Sequence, residues 1–175
     1  MATQSVVFGG GCFWCTEAAF QRLQGVSRVM PGYAGGSVAD PSYEQVTTGR
    51  TGHAEVVRVT FDPKIISYKQ LLKVFFAVHD PTTLNRQGND IGPQYRSVIL
   101  FADEEQRHEA ENFIAELNKE IGGGIVTEVK PLTEFFEAEE YHHNYFNRNP
   151  NAGYCQVIIS PKMAKLRKEY ADLLK

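Results

Sequence analysis

Apolar positions along this chain switch between two periods, and each switch marks an element. Residues 5–8, Ser-Val-Val-Phe, form a short apolar run closed by Gly9-Gly10-Gly11, which predicts a short buried strand. From Cys12 the spacing becomes helical, with Ala19, Phe20 and Leu23 among its apolar positions and Gly25 as its stop. Residues 26–30 read as a second short strand. Residues 53–61 alternate as a strong strand that Pro63 ends. Tyr68, Leu71, Leu72, Phe75, Phe76 and His79 recur at helical spacing behind a Ser67 cap. A strand over 95–102 follows. Asp103 then caps a third helix with its stripe at Ala110, Phe113, Ile114, Leu117 and Ile121, ended by Gly122-Gly123-Gly124. Residues 125–132 read as another strand. An aromatic-rich run (134–155) and Gln-Val-Ile-Ile-Ser (156–160) precede an amphipathic helix from Pro161, with Met163, Leu166, Tyr170, Leu173 and Leu174 as its apolar positions.

The order is β-α-β-β-α-β with further pieces after it. That predicts an α+β fold, a two-layer plait with a ferredoxin-like core and a C-terminal extension. Two long polar loops, 31–53 and 80–94, interrupt it, and loops of that length in a compact domain are usually functional. With no repeat or linker, residues 1–175 read as a single catalytic domain with a mobile C-terminal segment from about 147 to 175.

Composition narrows the classes. Hydrophobic residues make up 42% and charged residues 22%, as in ordinary globular proteins. The formal net charge is -3 with no basic block, which argues against nucleic acid as a partner. The longest apolar runs are too short to span a membrane, and the N-terminus lacks the form of a signal peptide. The expected address is the cytoplasm, where thiols stay reduced. The three cysteines, Cys12, Cys15 and Cys155, are too few for a disulfide framework or a four-cysteine zinc ribbon. No metal is expected.

The chemistry gathers around those cysteines. Cys12 stands where a strand gives way to a helix. The unpaired N–H groups and positive dipole of a helix start favour a thiolate and lower a thiol's pKa. Cys15 lies about one turn on, where it is either a disulfide partner or a small packing residue. Cys155 follows Asn149, Pro150, Asn151 and Gly153, the composition of a loop that could swing toward a distant nucleophile. In the strand 53–61, Glu55 shares parity with His53, Val57, Val59 and Phe61. Such an acid is either a frayed surface residue or a buried acid with a raised pKa, able to donate a proton near neutral pH. Tyr33, Tyr43 and Tyr95 are further possible O–H donors or packing residues. His53, His79, His142 and His143 read as structural or solvated.

Taken together, Gly-Cys-Phe-Trp-Cys at 11–15, Gly-Tyr-Ala-Gly-Gly at 32–36, Pro-Ser-Tyr-Glu-Gln-Val at 41–46, Gly-His-Ala-Glu-Val-Val at 52–57, Phe-Asp-Pro at 61–63, the run 79–97 and Gly-Tyr-Cys at 153–155 resemble the A-type peptide methionine sulfoxide reductases. The resemblance runs over residues 6–155. It implies reduction of methionine S-sulfoxide, free or in proteins, on an α/β plait, with no organic or metal cofactor and thioredoxin as reductant. By motif, Cys12 matches the nucleophile, Phe13 and Trp14 the aromatic walls around the substrate methyl, and Glu55 the acid that protonates the sulfoxide oxygen. Tyr43 and Tyr95 match its hydrogen-bonding helpers, Asp90 a polar residue of the same pocket, and Cys155 the resolving cysteine. Many relatives carry glycine at the position of Cys15, which leaves Cys15 as a possible second resolving thiol.

Three other readings make different predictions. A dithiol oxidoreductase would depend on Cys12 and Cys15 equally and not on Cys155. A cysteine hydrolase would pair Cys12 with a histidine and need no reductant. A module that only binds oxidised or aromatic-rich peptides would show no turnover.

Overall fold

The computed structural model describes residues 2–175. In chain order its elements are β1 (Gln4–Gly9), α1 (Phe13–Gln21), β2 (Val26–Ala34), α2 (Tyr43–Thr47), β3 (Ala54–Phe61), α3 (Tyr68–Ala77), β4 (Arg86–Gln87), β5 (Asp90–Ile91), β6 (Val98–Phe101), α4 (Glu104–Ile121), β7 (Glu128–Pro131), β8 (Phe135–Glu137), α5 (Tyr145–Arg148) and α6 (Ser160–Glu169). Six strands form one sheet in the order β7-β6-β1-β3-β2-β8, and β4 and β5 make a separate hairpin. Neighbours in the large sheet are antiparallel except β6 and β7, which are parallel. The fold is therefore α+β around a mixed sheet.

The helix boundaries follow from local chemistry. Ser42 and Ser67 each accept the backbone N–H of a glutamine three residues on, and Gln45 and Gln70 return the bond to the serine N–H, closing two capping boxes. Asp103 accepts from the Gln106 N–H, and Gly122 closes α4 in the left-handed region.

Strand β2 is longer than the pattern predicted, continuing past Pro31 to Ala34. Pro31 is tolerated because β8 pairs only with Gly32–Ala34, so the outer edge of β2 at Pro31 needs no N–H donor. A side chain at Gly32 would meet the Phe135 ring at 2.4 Å, so glycine there lets β8 close on β2. The predicted loop 31–53 is thus shorter and also contains α2. Strand β6 is shorter than predicted, because residues 93–95 form a 3-10 turn.

Both faces of the central strands are buried. One face carries the main core, where Val57, Val59 and Phe61 pack with Phe13, Phe20, Leu71 and Phe75. The other carries a smaller cluster of Val7, Ala34, Ala54, Val56, Val98 and Leu100. This is why residues 54–57 are buried at every position. The segment 147–175, expected to be mobile, is docked in this structure. A π-helical turn (Cys155–Ile159) leads into α6, and Cys155, Ile159, Met163 and Leu166 are buried. The last residues are tied to the end of α1, where the Gln24 N–H donates to the Leu173 carbonyl and the Lys175 N–H to the Arg22 carbonyl. No helix is long and apolar enough to cross a membrane.

Candidate active site

Gly11, with φ +85°, turns the chain out of β1 and delivers Cys12 as the N-cap of α1. Cys12 is only 7% exposed. The helix-start argument predicted a lowered pKa, and the structure reverses it. Burial pushes the Cys12 thiol well above its ordinary value, and the negative charge of Glu55 adds to that. A hydrogen bond from the Trp14 N–H opposes the rise without overcoming it. Desolvation outweighs the helix dipole here because the thiol is under the surface rather than at an open helix end.

Glu55 is 1% exposed, which resolves its alternatives in favour of a buried acid. The Phe13 N–H donates to its Oε1 at 3.2 Å. Its Oε2 is buried with no hydrogen-bond partner. Burial pushes its pKa up to about 8, against the bond from Phe13 and with help from the charge of Asp90. Glu55 thus holds its proton at neutral pH beside the thiol.

Tyr43, at the start of α2, and Tyr95, in the 3-10 turn, lie within electrostatic reach of Glu55 and Cys12. Burial raises both phenols, and the charges of Glu55 and Cys12 act on each. Tyr33 does not join them. Its hydroxyl donates to Glu139 Oε1 at 2.8 Å. The other oxygen of Glu139 accepts the Tyr43 N–H at 2.9 Å, so this carboxylate sets where α2 begins.

Phe13 is fully buried, and its ring lies against Tyr43 and His142. Trp14 stacks on Tyr145 with ring centres 3.7 Å apart and 7° between planes. The Trp14 indole N–H donates to His142 Nδ1 at 3.0 Å. Asp90, at the start of β5, accepts the Tyr154 hydroxyl at 2.8 Å, and Cys15 Sγ lies 3.8 Å from the same hydroxyl. All three cysteines are free and buried. Burial raises Cys15, on which Cys155 also acts, and burial raises Cys155.

The structure therefore brings together Cys12, Phe13, Trp14, Tyr43, Glu55, Asp90 and Tyr95, and sets Cys15 next to the segment that carries Cys155. His142, read from the sequence as structural or solvated, is structural, and sequence reasoning missed Tyr145, Tyr154, Glu139 and Glu17. Glu17 is buried and accepts the N–H groups of Asn144 and Tyr145, holding Tyr145 against Trp14. Only the density of acids and aromatics in 134–155 hinted at these contacts. His53 and His79 are structural, the first joining Gly36 to Val38 and the second joining Phe75 to Ser97. Among the described residues no group of three or more His, Cys, Asp or Glu side chains is arranged to hold a metal ion.

A family model described as peptide methionine sulfoxide reductase matches residues 4–174. A peptide methionine sulfoxide reductase MsrA of Saccharolobus solfataricus is 56% identical over 167 residues, which is 95% of this chain and 94% of that one. The reduced form of Mxr1 from Saccharomyces cerevisiae superposes with a TM-score of 0.81 at 34% identity, covering 87% of this chain and 89% of that one. Mxr1 in complex with Trx2 gives a TM-score of 0.58 at 26% identity, covering 82% and 84%.

Proposed function

This chain belongs to the peptide methionine sulfoxide reductase family, and from that premise and its site we propose that it reduces methionine S-sulfoxide, free or in proteins, through Cys12. The observation that carries the reading is Glu55. A protonated carboxyl with one buried, unpaired oxygen beside a buried thiol is a proton donor waiting for an acceptor. A sulfinyl oxygen is such an acceptor.

The steps balance from the protonation states the site favours. Glu55 gives its proton to the sulfoxide oxygen, which turns a poor leaving group into a good one. Cys12 sulfur attacks the substrate sulfur, and Glu55 takes up the thiol proton. The hydroxyl oxygen then passes from the substrate sulfur to the Cys12 sulfur as the sulfur–oxygen bond and the new sulfur–sulfur bond break, so methionine departs with the electron pair of the sulfur–sulfur bond and Cys12 is left as a sulfenic acid. Tyr43 and Tyr95 stabilise the oxygen as charge develops on it. Trp14, which is only partly buried, meets the methyl group, a contact worth about 1–3 kcal/mol, while Phe13, expected beside it, is fully buried and backs the site through Tyr43 and His142. Exchanging methyl and oxygen at sulfur would press the oxygen onto the rings and leave the donors unpaired, which favours one epimer.

Cys155 then condenses with the sulfenic acid, expelling water, and its segment leaves the docked position to do so. Cys15 is a second thiol on this route, supported by its place under Tyr154 and by the influence of Cys155 on it. The disulfide returns to thiols by exchange with thioredoxin. The complex of the relative Mxr1 with Trx2 supports that partner. This activity serves repair of oxidised proteins, and a reducing compartment, the cytoplasm, suits it. The strand order β6-β1-β3-β2, with α1 and α3 as crossovers, supports reading the core as a ferredoxin-like plait.

The test is incubation with each methionine sulfoxide epimer and dithiothreitol. Methionine should form from the S epimer alone in the wild type, and from neither in Cys12→Ser, since a hydroxyl is a far weaker nucleophile than a thiolate. Appreciable turnover by Cys12→Ser would remove Cys12 from the mechanism.

A further inference from the structure

Between the β4–β5 hairpin and the helical turn 155–162 runs a groove of about 430 Å³ that reaches Cys12. One wall is residues 87–90, and the other is Val157, Ile158, Pro161 and Lys162. The Tyr154–Asp90 hydrogen bond joins the two walls.

The helical stretch from 155 onward buries Cys155, Ile159, Met163 and Leu166, spaced four, four and three residues apart, as its packing face. Val157 and Pro161, four apart, lie off that face, and Val157 is 70% exposed. An exposed valine alone needs no explanation. Here it shares a wall with a second and third apolar residue, beside the thiol. Lys162 is half-buried and makes no ion pair or hydrogen bond among the described residues. Lys162 lines the groove, so its unpaired ammonium is available to an occupant. The opposite carboxylate, Asp90, already accepts from Tyr154.

We propose that this groove is a subsite for the polypeptide flanking the methionine sulfoxide, one that takes an apolar side chain against Val157, Ile158 and Pro161 and a carboxylate at Lys162. The proposal rests on the reductase reading above. Continuity with Cys12 names the occupant, because a chain that delivers its sulfoxide to this thiol must lie along a surface adjoining it. The unpaired ammonium sets the charge of that occupant. The subsite makes the protein select acidic, apolar contexts over a free amino acid.

Three capped pentapeptides, symmetric about the sulfoxide so that chain direction does not matter, test it: Glu-Leu-Met(O)-Leu-Glu, Lys-Leu-Met(O)-Leu-Lys and Ser-Gly-Met(O)-Gly-Ser. N-acetylmethionine sulfoxide is the reference and dithiothreitol the reductant. The wild type should show its lowest KM on the glutamate peptide. Lys162→Glu should reverse the order of the glutamate and lysine peptides. Val157→Ser should raise KM for both leucine peptides about fivefold, as one apolar contact is lost with no change of charge. KM and kcat on the reference should stay within about twofold in both variants, since neither residue has been given a part in the chemistry. Equal wild-type KM for all four substrates, or an unchanged order in Lys162→Glu, overturns the subsite. A change confined to the KM for thioredoxin also overturns it and assigns the groove to the reductant. Failure of the wild type to reduce the reference would instead sink the reductase reading.

Discussion

At Glu55 and Cys12, desolvation keeps two protons on two acids that an exposed site would partly release. The carboxyl holds its proton up to about pH 8, and the thiol above that. In the proposed mechanism the pair enters the reaction protonated, and Glu55 carries the thiol proton to oxygen. The sign of the pH dependence follows: the single-turnover rate should be level through neutral pH and decline above about pH 8, approaching tenfold per unit. Glu55→Gln should be slower by roughly 100- to 10,000-fold and should lose that decline. Rapid-quench measurement of methionine formed per enzyme checks both, and a decline that persists in the glutamine variant would assign it to another group. Beside this pair, burial pushes His142 down to about 4, so it stays neutral. The Trp14 indole N–H donates to its Nδ1, which assigns the ring proton to Nε2. A neutral acceptor there fixes the indole without placing a cation beside Cys12.

At the scale of elements, two stretches meet at the site. Helix α1 carries Cys12 to Trp14 on a run anchored in the core through Phe13, Ala19 and Phe20. The 155–159 turn is docked by its apolar face, and the proposed cycle requires Cys155 to leave that face to reach a sulfenic acid. Cys155→Ser should keep a full single turnover and lose cycling with thioredoxin, while dithiothreitol still rescues it; Cys15→Ser should retain most cycling with thioredoxin. Hydrogen exchange in residues 154–166 should speed up when the protein is oxidised, because a disulfide at Cys155 removes a buried side chain from that face. Peptide mapping after one turnover reads the outcome. A dominant Cys12–Cys15 bond with Cys155 free would make Cys15 the resolving thiol, and a Cys15–Cys155 bond would mean a three-thiol relay.

Across the whole molecule, the acid proposed to serve the chemistry works against the fold once it ionises. Its folded-state pKa is raised from an ordinary value of 4.5 to about 8, so the native state binds more protons than the unfolded chain between those limits. Stability then declines as pH rises through that window, by an amount on the order of 5 kcal/mol at most. Glu55→Gln keeps an acceptor for the Phe13 N–H and removes the ionisation. It should match the wild type near pH 4.5 and melt several degrees higher at pH 8 and above, a difference that thermal unfolding at the two pH values measures. An equal melting temperature at both would mean that Glu55 is less desolvated than its burial implies.

Much of this protein was legible in the residue order. The periods of β1, α1, β3, α3 and α4 follow from local spacing, and Ser67, Asp103 and Gly122 act within a few residues of the backbone groups they satisfy. Parity alone put Glu55 on the face of Val57 and Val59, and the order of motifs carried the family and the residues around Cys12. Strand β8, the course of β2 past Pro31 and the docking of residues 155–166 depend on partners far away in sequence, so no local pattern could announce them. The sign of the Cys12 shift belongs to the same class. A helix start favours a thiolate by a short-range dipole, but how much water remains there is decided by what the rest of the chain stacks above it. Here Glu55 from β3, Asp90 from the hairpin and Tyr154 from the C-terminal segment surround the thiol, and only the tertiary structure assembles them.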